Sequence, residues 1–163
     1  MDAIDVLKTR RSVRSYTKEP VPRSVIEDIV DCARLAATAR NEQLWEFIVI
    51  TDAKVRERLA GVATNGPFIA EAPVCIVTVC KEGAYYLEDG SAATQNILLA
   101  ARAHALGSCW VAGDKKPYAA AVLETIGAPA DYKLVSLVAI GHTTATPKPA
   151  KRPLSAVIHW EKF

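Results

Sequence analysis

Residues 91–111 read SAATQNILLAARAHALGSCWV, and the fold turns on how that stretch is covered. From Tyr86 to Leu106 the pattern predicts one long helix that is apolar or small on nearly every side. A helix that is hydrophobic all round has to be buried all round. In a chain of 163 residues that is hard to arrange inside one subunit and easier between two. Ala92, Ala93, Ala100, Ala101 and Ala103 would let another helix approach closely. The reading therefore favours a central helix at the interface of two copies, over one wrapped by its own sheet and neighbours. Gly107 is expected to end the helix, and GSCWVAG to follow as a short strand that runs out at Gly113.

Outward from that helix, the periodicity alternates between α and β. A short helix is expected from about Asp2 to Arg10, with Ile4, Val6 and Leu7 on one face. Pro20 and Pro22 then enforce an extended entry to a second helix that starts at Arg23 or Ser24. Its apolar stripe is Val25, Ile26, Ile29, Val30, Ala33 and Ala37. The polar stretch Thr38 to Gln43 leads into the strand WEFIVIT, and Asp52 is placed to cap a third helix. VCIVTVC, after Pro73, is too continuously apolar for a strand with one wet face, so it is assigned to the middle of the sheet. Pro117 to Ile126 reads as helix and KLVSLVAIG as another buried strand. From Thr143 onward no helical pattern remains, and Val157, Ile158 and Trp160 are out of place on a free end. An extended tail of that kind needs a sheet to join, the partner's being one candidate.

Length and composition bound the function. One domain over residues 1–163 is expected, with 50% hydrophobic residues to build its core. Twenty basic and 18 acidic side chains leave a net charge of +2, too small a field for general nucleic-acid binding. The longest convincing apolar run, Leu134 to Ile140, is far short of the roughly 18 residues of a membrane span, and the start lacks the pattern of a signal peptide. Cys32, Cys75, Cys80 and Cys109 form no C-x-x-C pair and read as reduced thiols of a cytoplasmic protein, with no metal expected.

The basic residues that matter are clustered. Arg10, Arg11 and Arg14 surround the hydroxyl of Ser12, and Lys151-Arg152 forms a second cluster near the other end. A phosphate dianion presents only acceptor oxygens and prefers charge-assisted, often bidentate donors, so that set suits it. One cation about 4 Å from a phosphate charge is worth about 4 kcal/mol at an effective dielectric near 20. The competing reading is that these residues complement a helix C-terminus and are otherwise solvated.

Five strings in order, RRSVRSYTKEPVP, NEQLWEFIVIT, EAPVCIVTV, ATQNILLAARAHALGSCWV and KRPLSAVIHWEKF, resemble the nitroreductase-like flavoproteins over nearly the whole chain. The resemblance implies an α+β fold with a central mixed β-sheet flanked by helices. It also implies an intertwined homodimer whose C-terminal tail reaches the partner, with flavin mononucleotide (FMN) held at the interface. Like that family, the chain has no G-x-G-x-x-G fingerprint.

Residue by residue, the resemblance assigns Arg10, Arg11, Ser12 and Arg14 to the flavin phosphate and ribityl chain, completed by Lys151 and Arg152. Asn41 and Gln43 match the polar pair laid against the partner's flavin. Val111, Ala112 and Gly113 match the strand end where a backbone N–H approaches flavin N5. The chain departs from the family's Pro-Ser-Ser and Gln-Pro-Trp with Ala37-Thr38-Ala39 and Gln43-Leu44-Trp45, so that Thr38 keeps one hydroxyl and Ala39 loses another. An acidic residue common before the glycine is here Ala112.

The implied activity is reduction of nitroaromatics, quinones or similar small-molecule acceptors. NADH or NADPH serves as donor, by ping-pong hydride transfer through flavin N5, so no protein residue is assigned a catalytic role. Two alternatives are a specialised dehalogenase or flavin-consuming enzyme, and a module that holds flavin without turnover. Several residues have plainer readings: Trp45 as a core anchor, His104 as a packed or half-exposed histidine, Glu42 and Glu46 as solvated carboxylates. Asn96 is assigned to a neighbouring backbone group, and Cys109 to an inert buried thiol.

Overall fold

The computed structural model describes residues 2–163, so Met1 lies outside it. Asp2 caps the first helix, α1 (Ala3–Thr9), by accepting from Ile4 N–H. The second, α2 (Arg23–Arg34), starts directly after Pro22 and buries Ile26, Ile29 and Ala33 from its predicted stripe. Strand β1 (Trp45–Ile50) leads to α3 (Ala53–Val62), whose N-cap Asp52 accepts from Val55 N–H at 2.9 Å as the sequence predicts. The remaining elements are β2 (Val74–Lys81), α4 (Tyr86–Ala103), β3 (Gly107–Ala112), α5 (Ala119–Thr125) and β4 (Tyr132–Gly141).

The sheet runs β1-β2-β4-β3, and every neighbouring pair is antiparallel, which corrects the expectation of a mixed sheet. The physical reason lies in the connections. Between β1 and β2, α3 and the 3-10 turn Pro67–Ala70 make an out-and-back excursion that returns to the end it left, so Ile50 pairs with Cys75. Between β2 and β3, α4 crosses the full height of the sheet, as in a parallel unit. The slot between those two strands is filled by β4, so they run the same way without pairing. Among the described residues, parallel character survives only in an isolated bridge between Ser12 and Ser108.

β2 is central and buried along its length except at Lys81, which explains its continuous apolar run. Its odd residues Cys75, Val77 and Val79 join a core with Leu59 of α3, Ile69 and Val122 of α5. Val74 and Ile76 face the opposite way, into a core with Ile29, Ala33, Ile97 and Ala101 from α2 and α4. Helices therefore cover both faces. Trp45 is a core anchor, packed with Cys80, Ala93 and Val135.

The helix α4 departs from its reading in two ways. Its own chain buries Gly90, Ala93, Thr94, Ile97, Leu98, Ala100 and Ala101, while Ala92, Gln95, Leu99 and Ala103 are half-buried or exposed along the other side. Ala100 thus belongs to the subunit's own core. The helix also stops at Ala103, before Gly107. Ala105 takes the left-handed conformation (φ 59°), and Leu106 N–H bonds back to Ala101 O at 2.8 Å, a role usually given to glycine. Gly107 serves a different need, since a Cβ there would lie 2.7 Å from Thr143 Cγ2 and 2.9 Å from Val13 Cγ1.

The tail after Gly141 forms no strand among the described residues, only a single turn at Leu154–Ala156. Val157, Ile158, Trp160 and Phe163 are exposed.

Candidate functional site

The segment Arg10–Thr17 meets the free edge of β3 only at Ser108 and then crosses the end of the sheet toward the residues after β4, tied down at several points. Val13 N–H donates to Ser108 O at 2.9 Å, and Thr17 N–H to His142 O at 2.8 Å. The Tyr16 hydroxyl donates to Val13 O at 2.6 Å and Ala139 O at 3.2 Å, and burial pushes its phenol well above the ordinary tyrosine range. Extended backbone alternates its side chains. Val13 is buried against the sheet, while Arg10 and Ser12 stay half-buried and Arg14 exposed.

The predicted basic residues take separate parts. Arg10 and Arg11 line a cleft of about 310 Å³ between the ends of α1 and α4, while Ser12 and Arg14 line an adjoining hollow. Arg11 Nη1 donates to Lys8 O and Arg10 O at 2.9 and 2.8 Å, so part of its guanidinium closes the end of α1. Arg14 lies over the Phe68 ring, 5.9 Å from its centroid. Lys151 and Arg152 are exposed on the tail and line neither cavity, and an Arg152 Nη2–H donates locally to Ala156 O. Lys8, Arg102 and Lys148 line the cleft instead, none of which was singled out from the sequence as a ligand.

The far end of β3 is about 13 Å from Ser108, at roughly 3.3 Å per residue. There Gly113 N–H donates to Val135 O at 3.0 Å. Alternation along an antiparallel strand then turns Ser108, Trp110 and Ala112 toward the free edge. Ser108 O accepting from Val13 N–H agrees with that parity. The N–H open to a ligand is therefore that of Ala112, since Gly113 is committed to β4. The Ala112 carbonyl accepts from the buried Tyr118 hydroxyl at 2.5 Å, and Asn65 Nδ2 donates to that same hydroxyl at 3.3 Å. Opposite, an extra residue in β4 at Val135 bends the strand, a bulge of the sort that re-aims backbone beside functional sites. Next to Gly113, Tyr86 donates to Asp114 Oδ1 at 2.6 Å; that bond and burial push its phenol to about 12.

Thr38, Asn41 and Gln43 form a third group, anchored on α4. Arg40, Asn41 and Gln43 all have left-handed backbones (φ 54°, 58° and 52°). Three such non-glycine residues among four persist only where the surroundings over-determine them. The anchor is Asp89 of α4, buried to 4% exposure. Its carboxylate accepts from the Thr38 hydroxyl at 2.5 Å and Ala39 N–H at 3.0 Å, and Gln43 N–H donates to Thr38 Oγ1 at 3.1 Å. The Thr38 hydroxyl thus shapes the loop from inside, while Asn41 and Gln43 remain exposed.

The plainer readings also find their partners. Asn96 Nδ2 donates to Cys32 O at 2.9 Å. His104 meets an acid after all, Asp28 of α2 at 2.6 Å, distant in sequence. Glu42 and Glu46 are exposed. Burial pushes the Cys109 thiol up, despite the opposing influence of Arg14, Ser12 and Arg10, so it is no poised nucleophile.

Donors for phosphate at one end of a strand edge and an open N–H at the other suit an elongated phosphorylated ligand. No helix among the described residues is long and apolar enough to cross a membrane. A model of the nitroreductase family matches residues 7–82 and 65–142. A protein of Archaeoglobus fulgidus, described as a candidate NADH dehydrogenase/NAD(P)H nitroreductase, is 35% identical over 149 residues, covering 86% of this chain and 85% of its own length. A similarly described protein of Methanothermobacter thermautotrophicus is 37% identical over 115 residues, which span 68% of this chain but only 60% of that relative. Among solved structures, an FMN-dependent nitroreductase from Clostridium difficile superposes with a TM-score of 0.93 at 28% identity, covering 98% of this chain and 99% of that one.

Proposed function

The chain belongs to the nitroreductase family, and we propose that it is an FMN-dependent oxidoreductase passing electrons from NADH or NADPH to a nitroaromatic, quinone or similar electrophilic acceptor. The observation that carries this reading is the bipolar edge of β3, with clustered cations beside Ser108 and an unpaired backbone N–H at Ala112. The donor set fits the cofactor. Phosphate calls for cations and hydroxyls, which Arg10, Arg11, Ser12 and Arg14 provide, and the flavin ring calls for a fixed donor beside its reactive nitrogen. When bound between the cations near Ser108 and the Ala112 N–H, FMN would supply two-electron redox chemistry between a reduced nicotinamide and the acceptor.

The protein's part is positioning. Ala112 N–H is held in place by Tyr118 on its carbonyl and by the neighbouring Gly113 N–H bonded to Val135 O. A fixed dipole of that kind stabilises charge without reorganising during the step. The loop shaped by Thr38 presents Asn41 and Gln43 to the flavin of a second subunit, and Lys151 and Arg152 approach the phosphate when the tail is seated on the partner. The assembly in this reading is an intertwined homodimer of single-domain subunits, each spanning residues 1–163, with the tail reaching the partner. Support comes from the uncovered side of α4 and the exposed Ile158 and Trp160. No nucleic acid or membrane takes part, and the protein is placed in the cytoplasm.

Steady-state oxidation of NADH and NADPH by purified protein with a quinone or nitroaromatic tests the reading. Parallel initial-rate lines support alternating substrates; flavin-loaded protein that never turns over would reduce it to a binding module.

A further inference from the structure

We propose that the cavity beside the first turn of α3 binds a small monocarboxylate with an apolar body, its carboxylate held by the buried Arg56. The inference is independent of the flavin reading. The cavity, about 780 Å³, lies between residues 16–21, the start of α3 and the start of β2. Val74 in its wall and Ser108 of β3 pair with Ile140 from opposite sides. Two strand spacings, roughly 10 Å, therefore separate that wall from the phosphate pole of the proposed flavin site.

Arginine is almost never buried without a partner for its charge. Arg56 is 9% exposed, and among the described residues it joins no ion pair. Its Nη1 donates to Thr51 O, and its Nε is sealed without an acceptor. Nη2 makes no bond to the protein and is not sealed, so it is the donor open to the cavity that Arg56 lines. Glu57 follows directly along the helix and so faces another way, while Glu71 is exposed at the rim. The guanidinium thus bears its desolvation cost without a counter-charge, which an anion at Nη2 supplies. Two features narrow the ligand. Pro20, Val21, Ala53, Ala70, Pro73 and Val74 make most of the wall apolar, which calls for an apolar body behind the charge. The exposed Glu57 and Glu71 repel any second negative charge, which favours a monocarboxylate over a dianion.

Calorimetry on the purified protein, with FMN added, tests the site with hexanoate, hexanamide and adipate. Hexanoate should bind the wild type. Hexanamide, which lacks the charge, and adipate, which carries a second one, should each bind about tenfold more weakly or worse. Arg56→Met keeps the apolar stem and removes the charge, an exchange that buried sites tolerate, and should weaken hexanoate binding about tenfold or more. Ala53→Trp, at an exposed position in the wall, should block the cavity, so it reports even if Arg56→Met folds poorly. Crystals grown with 6-bromohexanoate locate the ligand without any variant: bromine in this cavity, with the carboxylate against Arg56, upholds the site. Bromine elsewhere, or no hexanoate binding by the wild type, would overturn it. So would hexanoate binding that survives both substitutions, or equal binding of hexanamide or adipate.

Discussion

Replacing Asp89 with alanine should loosen the loop at residues 38–43 and cost stability at the same time. The carboxylate is 4% exposed and accepts two hydrogen bonds, from Thr38 at 2.5 Å and Ala39 at 3.0 Å. Hydrogen bonds to a charged group contribute about 1.5–3 kcal/mol each, so two lost bonds set a ceiling of roughly 3–6 kcal/mol. Removing a buried charge returns part of its desolvation cost, which brings the expected net loss to about 2–4 kcal/mol. For a chain of this size that lowers Tm by roughly 5–15 °C. The loop has a further reason to depart: each left-handed residue is disfavoured by about 1–2 kcal/mol, and Arg40, Asn41 and Gln43 are all in that region. Flavin binding should weaken too if Asn41 and Gln43 serve the partner's site. Thermal unfolding together with flavin titration reads both effects, with Asp89→Asn expected in between. A variant within about 0.5 kcal/mol of wild type, with unchanged flavin affinity, would refute the anchoring role.

Leu99→Glu, on the uncovered side of α4, should leave a folded subunit that sediments as a monomer; Ala100→Glu, in the subunit's own core, should unfold it instead. A dimeric Leu99→Glu protein would count against α4 as the interface. Thiol-reactive reagent at pH 8 should label the half-exposed Cys32 first and spare Cys75 and Cys80, whose thiols burial pushes to about 12, until the protein unfolds; rapid labelling of either would contradict their burial. The Tyr86 phenol is raised from 10.0 to about 12 by its bond to Asp114 and by burial, so the stabilisation it adds is complete below pH 10 and disappears as pH rises through about 12. Denaturant titrations of wild type and Tyr86→Phe should therefore converge over that interval, and a constant difference would exclude the linkage.

Much of the fold was legible because its signals are local. The unbroken apolar run of β2 follows from helices on both faces, and Asp52 caps α3 through a contact three residues away. Strand direction was not legible in the same way. An alternation of helices and strands is compatible with β2 and β3 running the same way, which they do, but nothing local says that β4 will come between them. The long helix misled for a related reason: small residues look the same whether they face the subunit's own sheet, as Ala93 and Ala101 do, or remain uncovered, as Ala92 does. At the site, RRSVR was readable as one cluster. Arg102 and Lys148 escaped because they reach the cleft from the end of α4 and from beyond β4. Asp89 escaped because an acid in a helix's first turn ordinarily serves the helix dipole, and its partner Thr38 lies 51 positions away.

In the proposed enzyme the flavin spans β3, with its phosphate pole at one end and its redox pole at the other. The decisive measurement is to denature purified, flavin-reconstituted protein and identify what it releases. Flavin mononucleotide is expected at about one per subunit, bleached by NADH or NADPH in the absence of oxygen before denaturation. Release of mainly the adenine dinucleotide form, or no flavin after reconstitution, would contradict it.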